Sequence, residues 1–180
     1  MVTMRQRVGR AAAALALLAC GVWGQGFLSS ANHVEAKAYL SRSAARPGDK
    51  VAAAVVLDIK KGYHINAHKP TLDYLIPTVL SLEAPDGIRA GAIRYPKPQV
   101  RKFDFSEEPL AVYEGKPVLR FDLEVDAAAS TAARELKGKV RVQACDERAC
   151  YAPANLELSI AIPMAAKGAA VQPTHPELFR

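Results

Sequence analysis

The sequence predicts an all-β chain folded as an antiparallel β-sandwich. Three observations lead there. Seven or eight short segments alternate apolar and polar residues, the period of a strand with one buried face. Turn signals such as Arg46-Pro47-Gly48-Asp49 and Pro85-Asp86-Gly87 separate them. No segment carries the apolar stripe of an amphipathic helix, and the alanine-rich stretch 127–133 is too short to supply one.

Val34, Ala36, Ala38 and Leu40 alternate with Glu35, Lys37 and Tyr39, which gives the first strand. Val51 to Ile59 is more uniformly apolar and predicts a central strand. Lys60-Lys61-Gly62 turns the chain into Tyr63-His64-Ile65-Asn66. Thr78 to Glu83 alternates through Val79, Leu80 and Leu82, and Ile88 to Tyr95 repeats the pattern more weakly. From Val118 to Val125, Leu119, Phe121, Leu123 and Val125 oppose Val118, Arg120, Asp122 and Glu124. Leu136 to Ala144 and Asn155 to Ile162 complete the set, and residues 165–180, with Gly168, Pro173 and Pro176, read as a flexible tail.

The 180 residues, 50% hydrophobic and 23% charged, suit one globular domain, placed at 32–164, with disposable ends. Residues 1–31 read as an export signal and linker: a cationic start with Arg5, Arg7 and Arg10 precedes the apolar stretch 11–19. Leu17-Leu18-Ala19-Cys20 resembles a lipoprotein box in which Cys20 would be lipidated, and cleavage near Ser29-Ser30-Ala31 is the other reading. Either way two cysteines remain, and an even pair in an exported chain favours a disulfide. The formal charge is +6; without the three leader arginines, 21 basic residues face 18 acidic ones, or +3. No basic run with interleaved aromatics stands out, which argues against a nucleic-acid partner. No later stretch approaches the roughly 18 apolar residues of a membrane-spanning helix, so membrane attachment would come only through the N-terminus.

Cys145-Asp-Glu-Arg-Ala-Cys150 sits where one strand ends and its return path begins. That geometry can bring two Cα atoms to about 5.5 Å, the separation a disulfide wants. A ring this short contributes roughly 2 kcal/mol in the chain-entropy model, less than a bridge between distant strands. A bond of little structural value, placed at a tip that a foreign thiol can reach, reads as redox-active. A purely structural bridge and metal ligation are the alternatives.

Between Tyr95 and Val118 runs a long connection with Phe103 and Phe105 set among charges. Long loops in compact domains are functional or disordered, and two phenylalanines speak against disorder. Either ring plugs the open end of the sandwich, or one lies over the disulfide, where sulfur–aromatic contact is favourable and stray thiolates are kept away.

Five stretches carry a resemblance. They are Gly62-Tyr-His-Ile-Asn-Ala-His68, Leu75-Ile-Pro-Thr78, Tyr95-Pro-Lys97, Phe105-Ser-Glu-Glu-Pro-Leu-Ala-Val-Tyr-Glu-Gly115 and Gln143-Ala-Cys-Asp-Glu-Arg-Ala-Cys-Tyr-Ala-Pro153. In this order and spacing the chain resembles the N-terminal periplasmic domains of DsbD-type transmembrane disulfide reductases. The resemblance implies an immunoglobulin-like sandwich with a reversible disulfide, a long cap loop and a periplasmic location. It implies Cys145 and Cys150 as the redox pair, with Cys150 forming the intermolecular mixed disulfide and Cys145 resolving it. It maps the cap loop to Phe103 and Phe105, with Phe105 as the capping ring. His64, Tyr113, Asp146, Glu147 and Tyr151 become candidate neighbours of the site. Implied partners are thioredoxin-like periplasmic proteins, including disulfide isomerases and the thioredoxins of cytochrome c maturation. A membrane disulfide reductase would act in trans, because the family's membrane and C-terminal thioredoxin-like domains do not follow here.

The residues themselves suggest no strongly activated thiol. Asp146 and Glu147 against Arg148 give the loop a local charge of −1, and a nearby carboxylate raises a thiol's pKa. Such a pair is attacked by partners more readily than it attacks. His64 and His68, four apart, are candidate metal ligands with the cysteines, but Pro70 opposes a helix presenting both, so no metal and no cofactor is expected. The rival functions are a non-redox exported interaction module with a structural bridge, and a metal-binding exported protein.

Overall fold

Alternation decides which face of each strand is buried. In the computed structural model, which describes residues 29–180, eleven strands are formed. They are β1 (Val34–Leu40), β2 (Lys50–Ile59), β3 (His64–Asn66), β4 (Val79–Glu83), β5 (Ile88–Ala90) and β6 (Gln99–Arg101), then β7 (Leu110–Tyr113), β8 (Val118–Val125), β9 (Arg134–Val142), β10 (Ala144–Cys145) and β11 (Ala154–Ile162). The export signal and Cys20 lie outside the described residues. Among those residues no helix is long and apolar enough to cross a membrane.

The strands form three antiparallel sheets, ordered β1-β2-β8-β5, β10-β3-β7-β6 and β11-β9-β4. The first and third turn their apolar faces onto one cluster. Val51, Val55, Leu57, Leu119, Phe121 and Leu123 meet Leu80, Leu136, Val140 and Ile162 there, each almost fully buried. Burying such side chains contributes roughly 1.5–3 kcal/mol each, which is what makes the alternating pattern specify this immunoglobulin-like sandwich. Gly138, central in β9, has a packing reason: a Cβ there would stand 2.9 Å from the Ser81 carbonyl oxygen and 3.1 Å from Leu158.

The strand carrying Cys145 changes sheets. β9 pairs with β4 and β11 as far as Val142; Gln143 intervenes, and β10 then pairs with β3. Gln143 fixes this switch. Its Oε1 accepts from Asn66 Nδ2 at 3.1 Å and from the Ile76 N–H at 3.3 Å, while its Nε2 donates to the Tyr151 carbonyl at 3.4 Å.

Three expectations are corrected. The stretch between Tyr95 and Val118 is not all loop: Gln99–Arg101 and Leu110–Tyr113 pair as β6 and β7 around a shorter turn. Leu110 and Val112 are buried at alternate positions, a pattern that the charges and Pro109 obscured. Residues 165–180 are not a loose tail. The Ala165 N–H donates to the Ala45 carbonyl, the Ser43 N–H to Gln172, the Thr174 N–H to Ser41, and Arg120 Nε to Leu178. The chain just past β1 leaves backbone groups free, and the C-terminal segment satisfies them. Finally, residues 29–31 pack on the domain placed at 32–164. Ser30 is fully buried, so cleavage after Ala31 would remove part of the fold.

Candidate active site

Cys145 and Cys150 are joined in a disulfide, with Cα atoms 3.9 Å apart. They form a non-hydrogen-bonded antiparallel pair, the closer of the two pair types. The flanking hydrogen bonds run from the Asp146 N–H to the Ala149 carbonyl at 3.0 Å and from the Tyr151 N–H to the Ala144 carbonyl at 2.8 Å. Sheet packing on one limb makes the sulfurs unequal. Cys145, inside β10, has no exposed surface, whereas Cys150 lies on the outer limb and is exposed.

Asp146 closes the turn. One carboxylate oxygen accepts the Arg148 and Ala149 N–H groups at 2.8 and 2.9 Å, and the other accepts the Tyr151 hydroxyl at 2.9 Å. The two backbone donors, and then the Tyr151 hydroxyl, hold its pKa below the usual carboxylate range. The turn thus keeps the Asp146 carboxylate charge next to the disulfide. Tyr151 is pushed up to about 12 by hydrogen bonding with Tyr63 and Asp146 and stays protonated. Its ring belongs to an aromatic group that the sequence did not suggest: His33 stacks on Tyr63 at 4.0 Å and tilts toward Tyr151 at 4.5 Å.

Beside the Cys145 limb, His64 on β3 is the cross-strand partner of Cys145. Side chains so paired lie on the same face with Cβ atoms about 4.5–5.5 Å apart. His64 is 2% exposed and stacks on Phe103 at 4.1 Å. Phe103 is itself buried, in a small second cluster with Leu75, Leu110 and Val112. Phe105 lies 5.4 Å from Phe103 and 6.4 Å from His64, and is 38% exposed. Of the two rings expected in the cap loop, Phe103 is the buried one and Phe105 the outer one. The turn between β6 and β7 is closed on itself, with Lys102 Nζ donating to the Ser106 carbonyl at 2.6 Å and also to that of Glu107.

Arg101 ties cap to hairpin. It pairs with Glu114 at 2.6 Å and with Glu147 at 3.7 Å, and its guanidinium stands 5.6 Å from the Phe103 ring centroid. Beside it opens a cleft of about 420 Å³ lined by Lys60, Lys61, His64, Arg101 and Glu147. Tyr113, a candidate neighbour of the cysteines, packs in the main core opposite Ile65 of β3, and its hydroxyl accepts the His68 N–H at 3.3 Å. His68 stacks on Tyr95 at 3.7 Å and its Nδ1 lies 3.1 Å from the Thr78 carbonyl oxygen, so it does not join His64 in a ligand set. Among the described residues no three His, Cys, Asp or Glu side chains gather as a metal site.

Burial, and then the nearby Arg101 charge, lower the pKa of His64 from 6.5 to about 4, against a smaller opposing effect of Asp146. The unfolded chain therefore takes up a proton below pH 6.5 that the folded domain refuses until about pH 4. Stability should fall across that window by at most about 3 kcal/mol and then level off. Urea unfolding of wild type and His64→Phe at pH 7 and 4.5 measures this: the acid loss should be smaller in the variant. Equal losses would place the titrating group elsewhere.

A β-sandwich presenting one exposed and one buried sulfur of a short-ring disulfide, beside a buried His64 stacked on Phe103, defines a thiol–disulfide exchange domain. A sequence model of the N-terminal region of the thiol:disulfide interchange protein DsbD matches residues 32–161, and the chain belongs to this DsbD N-terminal family. Among solved structures it is similar to the reduced DsbD N-terminal domain of Neisseria meningitidis, at 21% identity and TM-score 0.41 over 75% of this chain and 90% of that one. It is also similar to the N-terminal periplasmic domain of ScsB from Proteus mirabilis, at 12% identity and TM-score 0.46, over 74% of this chain and 49% of that one. No curated protein matches the chain.

Proposed function

We propose that this domain relays two electrons between thioredoxin-like proteins of the periplasm through Cys145 and Cys150. The exposure of Cys150 in front of a fully buried Cys145 is the observation that carries this reading. A partner thiolate attacks the sulfur of Cys150, the intramolecular bond breaks, and Cys145 leaves and takes up a proton. The partner's second thiol then displaces Cys150, so that the partner ends as a disulfide and the domain as a dithiol. In the donating direction the Cys150 thiolate attacks a downstream disulfide, and Cys145 resolves the mixed species by attacking Cys150. The fixed charge of Asp146 disfavours an additional thiolate beside it, which suits a domain whose partners supply the reactive sulfur. A membrane disulfide reductase is the source of electrons in this scheme, and disulfide isomerases or cytochrome c maturation thioredoxins are the recipients.

Equilibration with glutathione or dithiothreitol tests the relay. The expected reduction potential lies above about −300 mV, within reach of thioredoxin-like partners. A value well below that would mark a structural bridge and favour a non-redox interaction module.

A further inference from the structure

The N-terminal strap, residues 29–33, meets the cysteine hairpin at both limbs through one side chain. The Ser30 hydroxyl donates to the Ala152 carbonyl at 2.7 Å and accepts the Ala144 N–H at 2.8 Å. Ala144 precedes Cys145 and Ala152 stands two residues after Cys150, so this one oxygen spans the mouth of the ring. The strap is fixed by its own backbone as well: the Ser30 N–H also donates to the Ala152 carbonyl, at 2.9 Å. Ser30 has no exposed surface. Water therefore cannot substitute for either contact without opening the strap.

We infer that Ser30 is a positioning residue of the exchange reaction, holding the two limbs at closing distance while the disulfide is open. This rests on the relay reading above. When the Cys145–Cys150 bond breaks, the limbs stay joined across the turn by backbone hydrogen bonds and by the contacts of Asp146 and Gln143 with Tyr151, and a short two-stranded turn held this way is marginal in water. The hydroxyl bridge joins both limbs to a third segment of chain, so the sulfurs remain neighbours after reduction. Their effective concentration stays high, and Cys145 is in place to resolve a mixed disulfide on Cys150. A residue that merely cemented the fold would stabilise the oxidised and reduced states equally and leave the redox equilibrium where it was.

The test compares wild-type and Ser30→Ala full chains in glutathione redox buffers. Alanine keeps the Ser30 backbone contact and removes only the hydroxyl bridge. The expected result is a disulfide that is about tenfold easier to reduce, because the open dithiol loses the link that keeps its two sulfurs at high effective concentration. An unchanged equilibrium constant, with only a lower melting temperature, would overturn the inference. Ser30→Ala that does not fold leaves a second measurement on the reduced wild type. There the Ala144 amide, donated to Ser30, should stay protected from hydrogen exchange; free exchange on reduction would overturn the inference equally. Failure of the relay itself looks different: the wild-type disulfide would then not exchange with glutathione at all.

Discussion

Cys145→Ser should trap a thioredoxin-like partner as a stable mixed disulfide, and Cys150→Ser should not. Either change abolishes turnover, so the asymmetry lies in the trapped product. The physical reason is access. An attacking thiolate must approach along the axis of the bond it breaks, and only Cys150 offers a surface for that approach. A lone Cys145, with no exposed surface in β10, has no route to a foreign sulfur without unpairing β10 from β3. Non-reducing electrophoresis of each variant with an oxidised thioredoxin-like protein reads the outcome. A mixed disulfide formed only by Cys150→Ser would reverse the assignment of the two sulfurs.

Phe103→Ala should be the most damaging substitution in the cap. Its ring is 1% exposed, stacks on His64, and belongs to the cluster with Leu75, Leu110 and Val112. Truncating a buried phenylalanine costs about 3–5 kcal/mol, and here most of that loss falls on the cap. The disulfide should then react with glutathione at least about tenfold faster, since the cap's open form becomes populated. Phe105→Ala, at a partly exposed ring, should cost roughly 1 kcal/mol or less and change the rate less. Stopped-flow reduction of the three proteins distinguishes the rings. A larger rate increase in Phe105→Ala than in Phe103→Ala would return the shielding role to Phe105.

Much of the sandwich is legible in the sequence because its strands are one-sided. Leu119, Phe121, Leu123 and Val125 read as a buried face before any contact is known, and so do Leu136, Val140 and Val142. The cysteine pair was legible for a different reason: two sulfurs separated by a tight turn have few other ways to lie. What was hidden is held together by contacts that leave no periodic trace. Ser30 meets Ala144 across a separation of 114 residues, and nothing in Ser29-Ser30-Ala31 distinguishes a clamp from a cleavage site. His33 and Tyr63 reach Tyr151 only through the fold, and their neighbourhood to Asp146 follows from sheet pairing rather than spacing. β6 and β7 are three and four residues long, below the length at which alternation can be recognised. The C-terminal segment misled through its Gly and Pro content, which signals the lack of a regular strand and not the lack of partners.

The small cluster under Phe103 shares no buried residue with the main core. Gate and vault are consequently built from separate stocks of apolar surface. Substitutions at Leu75, Leu110 or Phe103 should alter the packing beside His64, the cross-strand partner of Cys145, while Phe121 and its neighbours should set how long the whole molecule survives. A lineage facing a new set of partners is thus free to alter admission without rebuilding the walls.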